Sequence, residues 1–313
     1  MVNAITSVKI KDYLVFKGEF SAEFCPGINV LIGANGTGKT TLLKLIYLVK
    51  YESGRKQSNS KSPLYTKELA IAEALPSYDL AENSLSHTEA LVFSATDDPM
   101  NPVYIPEKDM LSNAKGLPET VEYGKLQFEI TDIAIIKQAR VASSVPEQPL
   151  YRKICEVIGG TPENDGESFF MKRDNVDEPI PFALEASGHR KLGLLATLIR
   201  NEQIKSGTVL FWDEPENSLN PELIPTLVNI LFELQRGGVQ IFIATHSKML
   251  ANEFSISRKD NDEVKFFSLY KSEDGSIKAD TDSRFDLLKP NKLTQASVEQ
   301  YEREIERGLG CND

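Results

Sequence analysis

Cysteine is scarce in this chain of 313 residues: only Cys25, Cys155 and Cys311 occur. An odd number at wide spacing fits neither a disulfide framework nor a metal-ligand pattern, so reduced thiols in a cytoplasmic protein are expected. No apolar run approaches the roughly 18 residues that cross a bilayer, so no membrane partner is expected. The first residues, Met1-Val2-Asn3-Ala4-Ile5, lack the basic and apolar regions of a secretion signal. No heptad pattern persists over several turns, which excludes a long coiled-coil arm, and no internal repeat of roughly 20–50 residues is present. A basic excess is missing as well. The formal net charge is −11, so a generally basic nucleic-acid surface is absent. One local group, Lys137, Arg140, Arg152, Lys153, Lys172 and Arg173, falls in the middle of the chain. It forms either a patch on one face or a set of scattered solvated charges, and DNA as a partner stays open on that account.

What is present is ample material for a buried core, with 41% apolar and 26% charged residues. The most informative stretch is Gly33-Ala34-Asn35-Gly36-Thr37-Gly38-Lys39-Thr40, a full G-x-x-x-x-G-K-[ST] phosphate loop. It follows the apolar run Ile28 to Ile32 and opens an apolar helical stretch from Thr41 to Leu48. Strand, glycine loop and helix in that order make the pattern a nucleotide site rather than a glycine-rich turn. Backbone N–H groups at Asn35, Gly36, Thr37, Gly38, Lys39, Thr40 and Thr41 are placed to wrap phosphates at the positive end of the helix dipole. Lys39 is expected to reach the outer phosphates, and the Thr40 hydroxyl to hold Mg²⁺.

Further along, the pattern becomes clean α/β after Ser187. A helix is expected over Lys191–Ile204, a doubly buried strand over Thr208–Trp212, a helix starting at Asn220-Pro221-Glu222 and stopping at Gly237-Gly238, and a strand over Val239–Ala244. Asp213-Glu214 ends the first of these strands. An Asp there holds the Mg²⁺ water shell, and the second carboxylate, Glu214, projects toward the γ-phosphate, where it orients or deprotonates the attacking water. His246 follows the next strand, from which an imidazole donates to the γ-phosphate. Ser187-Gly188 lies near a helix start, either as an ordinary Ser cap or as an anion contact through hydroxyl and backbone N–H groups.

Before that region, strands are expected over Ala4–Ile10, Leu14–Phe24 and Ile28–Ile32, and a polar loop over Glu52–Pro63. Extended segments follow at Glu89–Ala95 and Pro102–Ile105, and helices at Leu64–Ala74, Gly124–Ala142 and Leu150–Ile158. A strand pair at Ser168–Lys172 and Ile180–Leu184 closes this middle portion. After His246 come strands at Lys265–Tyr270 and Ser276–Asp280 and an acidic amphipathic helix near Ala296–Arg307. The division read from these signals is a P-loop ATPase core at 1–50 and 180–290, an α-rich inserted lobe at 51–179, and a C-terminal helix within 291–313. The fold class is α/β, a mixed or mainly parallel sheet flanked by helices.

The order of phosphate loop, Ser187-Gly188, Trp212-Asp213-Glu214-Pro215, Glu216-Asn217-Ser218-Leu219-Asn220-Pro221 and His246 resembles an ABC-type ATPase head. Within that class it is similar to the RecF, SMC and OLD branch, also described as AAA-like ATPases. The resemblance covers roughly residues 1–50 and 180–250. It implies ATP and Mg²⁺ as ligands, Glu214, His246 and Lys39 as catalytic residues, and Thr40 and Asp213 at the metal. Ser187 and Gly188 become the signature contact to a partner subunit's ATP, Asn217 to Asn220 the D-loop, and His246 the switch histidine. It further implies a homodimer with two ATP molecules sandwiched between heads, passing its state to an effector such as a nuclease or toxin in DNA repair or phage defence. The signature departs from the double-glycine form, reading Ala186-Ser187-Gly188-His189-Arg190. The usual Q-loop glutamine has no counterpart, and Tyr104-Ile105-Pro106-Glu107-Lys108-Asp109 takes its place, with Glu107 or Lys108 substituting. A nucleotide-gated scaffold with incidental hydrolysis, a transporter nucleotide-binding subunit and a P-loop kinase are the competing readings.

Overall fold

The computed structural model describes residues 4–57, 91–95, 101–122, 129–142, 148–174 and 176–308. The chain opens with an antiparallel hairpin, β1 (Ile5–Tyr13) and β2 (Phe16–Glu23). Strand β4 (Leu91–Ala95) pairs antiparallel with the other edge of β1, giving a sheet of order β2-β1-β4. Between them run β3 (Ile28–Gly33) and α1 (Lys39–Gln57). α1 continues through residues 52–57, where the polar composition suggested a loop. Lys, Glu, Arg and Gln are good helix formers, and polarity alone does not end a helix that is already nucleated.

The central sheet contains β3, β5 (Asn101–Ile105), β9 (Thr208–Asp213), β10 (Gln240–Thr245), β11 (Val264–Lys271) and β12 (Ile277–Asp282), in the order β12-β11-β3-β10-β9-β5. All of its pairings are parallel except β11 with β12. Strands β3, β9 and β10 are buried at every position, as continuous apolar runs between two covered faces require. Alternation sorts their side chains. Ile28, Val30, Ile32, Leu210, Trp212, Ile241 and Ile243 enter one core, while Leu31, Val209, Phe211, Phe242 and Ala244 enter the other.

The second core lies under α1 and the β2-β1-β4 sheet, where Phe211 and Phe242 stack with centroids 5.1 Å apart and Phe24 meets Phe242 edge-on at 4.9 Å. The first core is covered by helices: α3 (Ile130–Ala139), α4 (Pro149–Ile158), α5 (Ser187–Arg200), α6 (Ile224–Arg236) and α7 (Lys248–Ser257). A short α2 (Leu117–Glu122) and a small antiparallel sheet, β6 (Thr161–Asn164), β7 (Phe169–Lys172) and β8 (Ile180–Pro181), complete the middle of the chain. The stretch 51–179 thus carries helices, as its composition suggests, but it also supplies β4 and β5 to the two larger sheets. The expected helix at Leu64–Ala74 lies outside the described residues.

Two helices begin earlier than their apolar pattern suggests. α5 starts at Ser187 rather than Lys191, and its first turn packs closely on Leu219, to which a Cβ on Gly188 would come within 3.0 Å. The last helix, α8 (Lys292–Gly308), starts where the Asn291 side chain accepts from the Thr294 N–H at 3.1 Å. Among the described residues no helix is long and apolar enough to cross a membrane.

Candidate functional site

Parallel pairing brings the C-terminal ends of β3, β5, β9 and β10 to one edge of the central sheet, and the loops that follow them meet there. The loop after β3 is tightly drawn. Gly33 has φ of +153°, and a Cβ on it would lie 2.4 Å from the Leu269 carbonyl oxygen, so no larger residue fits. The Thr37 hydroxyl donates to the Ala34 carbonyl at 2.8 Å, and α1 is under way by the Leu42 N–H bond to Gly38. Asn35 and Gly36 form the exposed tip, Thr37, Gly38 and Lys39 are buried, and Thr40 and Thr41 are half-buried at the helix start. The Lys39 ammonium donates to the carbonyls of Gly33 at 2.8 Å and Ala34 at 3.1 Å. Burial pulls its pKa below the usual lysine value, while the nearby charges of Glu214, Asp213 and Glu216 work in the other direction.

Asp213 ends β9 beside this loop. Its Oδ1 accepts from the Thr40 hydroxyl at 3.1 Å and its Oδ2 from the Tyr104 phenol at 3.3 Å. Burial raises the carboxyl above its ordinary range, and the Thr40 hydrogen bond opposes the shift. The Tyr104 phenol, buried beside that carboxylate, is held well above the usual tyrosine value. A carboxylate and a hydroxyl side by side at a buried strand end form a hard oxygen donor set, which suits Mg²⁺.

Glu214 takes a backbone conformation rare for a residue with a side chain, φ +47°. Its N–H donates to the Ala244 carbonyl at 2.9 Å, and its own carbonyl accepts from Lys191 Nζ at 2.9 Å. The surrounding structure therefore fixes a conformation that costs roughly 1–3 kcal/mol. Its Oε1 lies 2.8 Å from Nδ1 of His246, an exposed residue just past β10. A carboxylate and imidazole so paired can hold a water and pass a proton.

Glu216 completes the acidic group and was not singled out by its sequence position as part of the site. It accepts from the Thr245 hydroxyl, and burial raises its pKa. Lys191, whose pKa burial lowers, sits in the field of Glu216, Glu107, Glu214 and Asp109.

Ser187 and Gly188 are not drawn into this group. The Ser187 hydroxyl does not cap α5, whose cap position is Ala186. It donates instead to the Ser218 carbonyl at 2.8 Å. Asn217 Nδ2 donates to Glu107 Oε1 at 2.5 Å, and Arg190 pairs with Asp109 at 2.9 Å. The segment after β5 is therefore tied to both the 217–218 turn and the start of α5. No spacing rule relates positions 107 and 217; only the pairing of β5 with β9 does.

The mid-chain basic group is largely neutralised in place. Arg140 pairs with Glu119, Lys153 with Glu233, Lys172 with Glu163 and Arg173 with Glu185.

Known proteins resemble this chain in sequence and in fold. The family "AAA ATPase domain" matches residues 4–98, and "AAA domain, putative AbiEii toxin, Type IV TA system" matches residues 103–252. A protein of Pyrococcus horikoshii named "Putative ABC transporter ATP-binding protein" is 25% identical over 255 residues, 80% of this chain and 76% of its own. The Smc head domain with an extended coiled coil, bound to the C-terminal domain of ScpA and derived from Pyrococcus furiosus, aligns with a TM-score of 0.52 at 12% identity. That alignment covers 96% of this chain and all of the other, and the likeness is one of fold. CbiO1 from Clostridium perfringens, part of the ABC transporter complex CbiONQ, aligns with a TM-score of 0.45 at 13% identity over 98% of this chain and all of its own. The first family match contains the phosphate loop, and the second contains Asp213, Glu214 and His246: the chain is an ATP-hydrolysing P-loop enzyme, matched in two parts by AAA ATPase models, with a fold like that of the Smc head.

Proposed function

We propose that this head binds ATP with Mg²⁺ at the edge built by residues 33–41, 213–214 and 246, and that ATP closes two heads into a dimer which hydrolysis reopens. Lys39 and the N–H groups of Asn35 to Thr41 hold the phosphates, and Thr40 and Asp213 hold the metal. The chemistry a bound Mg²⁺ supplies is neutralisation of charge on the outer phosphates. Glu214 takes the proton from the attacking water as its oxygen bonds to the γ-phosphorus. The bond from that phosphorus to the bridging oxygen breaks, and ADP and phosphate leave. His246 holds the Glu214 carboxylate and faces the same charge. The observation that carries this reading is the Glu214–His246 pair at 2.8 Å, held on a strained backbone at the strand ends beside the phosphate loop.

In the dimer, Ser187 and Gly188 of one head contact the ATP of the other, and Asn217 to Asn220 line the same junction. The head then reports its open or closed state to an effector protein in the cytoplasm. The effector is a nuclease or toxin in DNA repair or phage defence; the description of the family matching residues 103–252 supports only a link to a toxin–antitoxin system. The named relative from Pyrococcus horikoshii favours a second reading, the nucleotide-binding subunit of a transporter. Co-purification with a multi-spanning membrane protein distinguishes it.

The test is Glu214→Gln. Phosphate release is expected to fall at least about hundredfold, while light scattering shows a persistent dimer in Mg·ATP. Equal, slow release by wild type and variant with ATP-driven dimerisation intact would make the protein a nucleotide-gated scaffold. A monomer at saturating ATP would end the sandwich.

A further inference from the structure

The phenol of Tyr104 is the one polar atom on a side chain otherwise given to the core. Its ring is buried between α1 and the central sheet, 5.4 Å from the ring of Tyr47. β5 runs parallel to β9 with Tyr104 opposite Phe211, so the side chain shares a face with Asp213 two residues further on. The hydroxyl donates to Asp213 Oδ2 at 3.3 Å, while Thr40 donates to Oδ1 at 3.1 Å. Both oxygens of that carboxylate are thereby held, one from α1 and one from β5. Phenylalanine would fill the same space, so packing alone gives no reason for the oxygen.

We infer that Tyr104 is a positioning residue for the metal: its hydroxyl fixes the orientation of the Asp213 carboxylate so that Asp213 and Thr40 present oxygen to Mg²⁺ together. The inference rests on the proposal that Asp213 and Thr40 form the metal site. Of the two donors to Asp213, Thr40 is itself a proposed ligand, whereas Tyr104 is not, so Tyr104 holds the carboxylate without joining the metal's shell. Groups that orient a ligating carboxylate in this way commonly change metal affinity by about 10–100-fold when removed, and a contact at 3.3 Å belongs at the lower end.

The test compares wild type, Tyr104→Phe and Asp213→Asn. ATP affinity is measured by calorimetry with excess Mg²⁺ and with EDTA, and Mn²⁺ affinity of the ADP-bound protein by the loss of the free Mn²⁺ resonance signal. Tyr104→Phe is expected to weaken Mn²⁺ binding about tenfold and to shrink the Mg²⁺-dependent gain in ATP affinity by a similar factor. Its ATP affinity in EDTA is expected to stay at the wild-type value. Unchanged Mn²⁺ affinity overturns the inference. So does an equal loss of ATP affinity with and without metal, because that marks a packing residue. Asp213→Asn separates the two levels. If it too keeps the full Mg²⁺ gain, the metal site itself is misassigned; if it abolishes the gain and Tyr104→Phe does nothing, only the role of Tyr104 fails.

Discussion

Lys39 and Asp213 are buried at the strand ends, each held by partners from another element or from the loop itself, whereas Ser187 and Asn217 bond at the surface to a loop carbonyl and an exposed carboxylate. The first corner is built to keep one shape. Its charged groups are desolvated, so a lost partner leaves an uncompensated charge or donor in a poor solvent for it. The second corner has bonds that water or another chain can replace at little cost. The proposed two-headed sandwich would use that difference, since a corner that meets another chain must first release its own.

That contrast can be broken at several points. The largest effect is expected from Lys39→Ala, which should weaken ATP binding at least about hundredfold by calorimetry, through loss of the only cation in the loop. Affinity within a factor of a few of wild type would place the nucleotide elsewhere. Next comes Arg173→Ala. The guanidinium holds both oxygens of Glu185, a buried carboxylate just before the signature segment, at 2.9 and 2.7 Å. With the arginine partly solvated, its removal should lower stability by about 2 kcal/mol in urea unfolding, and a change too small to measure would mean that Glu185 finds water. Ser187→Arg should reduce turnover by about tenfold or more while one chain still binds ATP normally. Full turnover would show that Ser187 does not reach the opposite site. The smallest effect is expected from Lys153→Ala, an exposed pair with Glu233 on the far helices, worth within about 0.5 kcal/mol. A larger loss there would erase the distinction between the buried and exposed charges.

The parts of the fold legible from residues alone are those where neighbours in sequence are neighbours in space. β3, β9 and β10 were placed within a residue or two because burial on both faces writes an unbroken apolar run. The helix after Asn220-Pro221-Glu222 likewise begins where its capping side chain accepts from the Glu222 N–H, through one tight turn before α6. β5 is different. Pro102–Ile105, four residues of ordinary composition, read as extended, but nothing in them says that they pair with β9 rather than belong to a separate lobe. The apolar period of α5 begins only at Lys191, four residues into the helix, and Ser187, read as a cap or an anion contact at a helix start, is its first helical residue. That turn is tied instead to distant residues, Ser187 to the Ser218 carbonyl and Arg190 to Asp109.

The candidate site divides along the same line. The phosphate loop is a contiguous string, and its conformation is set by local chemistry: glycines where the backbone turns or closely approaches another strand, and a helix start for the anion. The chain also fixed by itself that carboxylates and a histidine follow two apolar strands. Which of these groups touch, and with whom, was decided by tertiary structure alone. Thr40 meets Asp213 across 173 positions, Tyr104 joins them across 109, and Glu107 reaches Asn217 across 110. Such meetings depend on strand order and parallel register, which are properties of how buried faces share a core, and no spacing in the sequence records them.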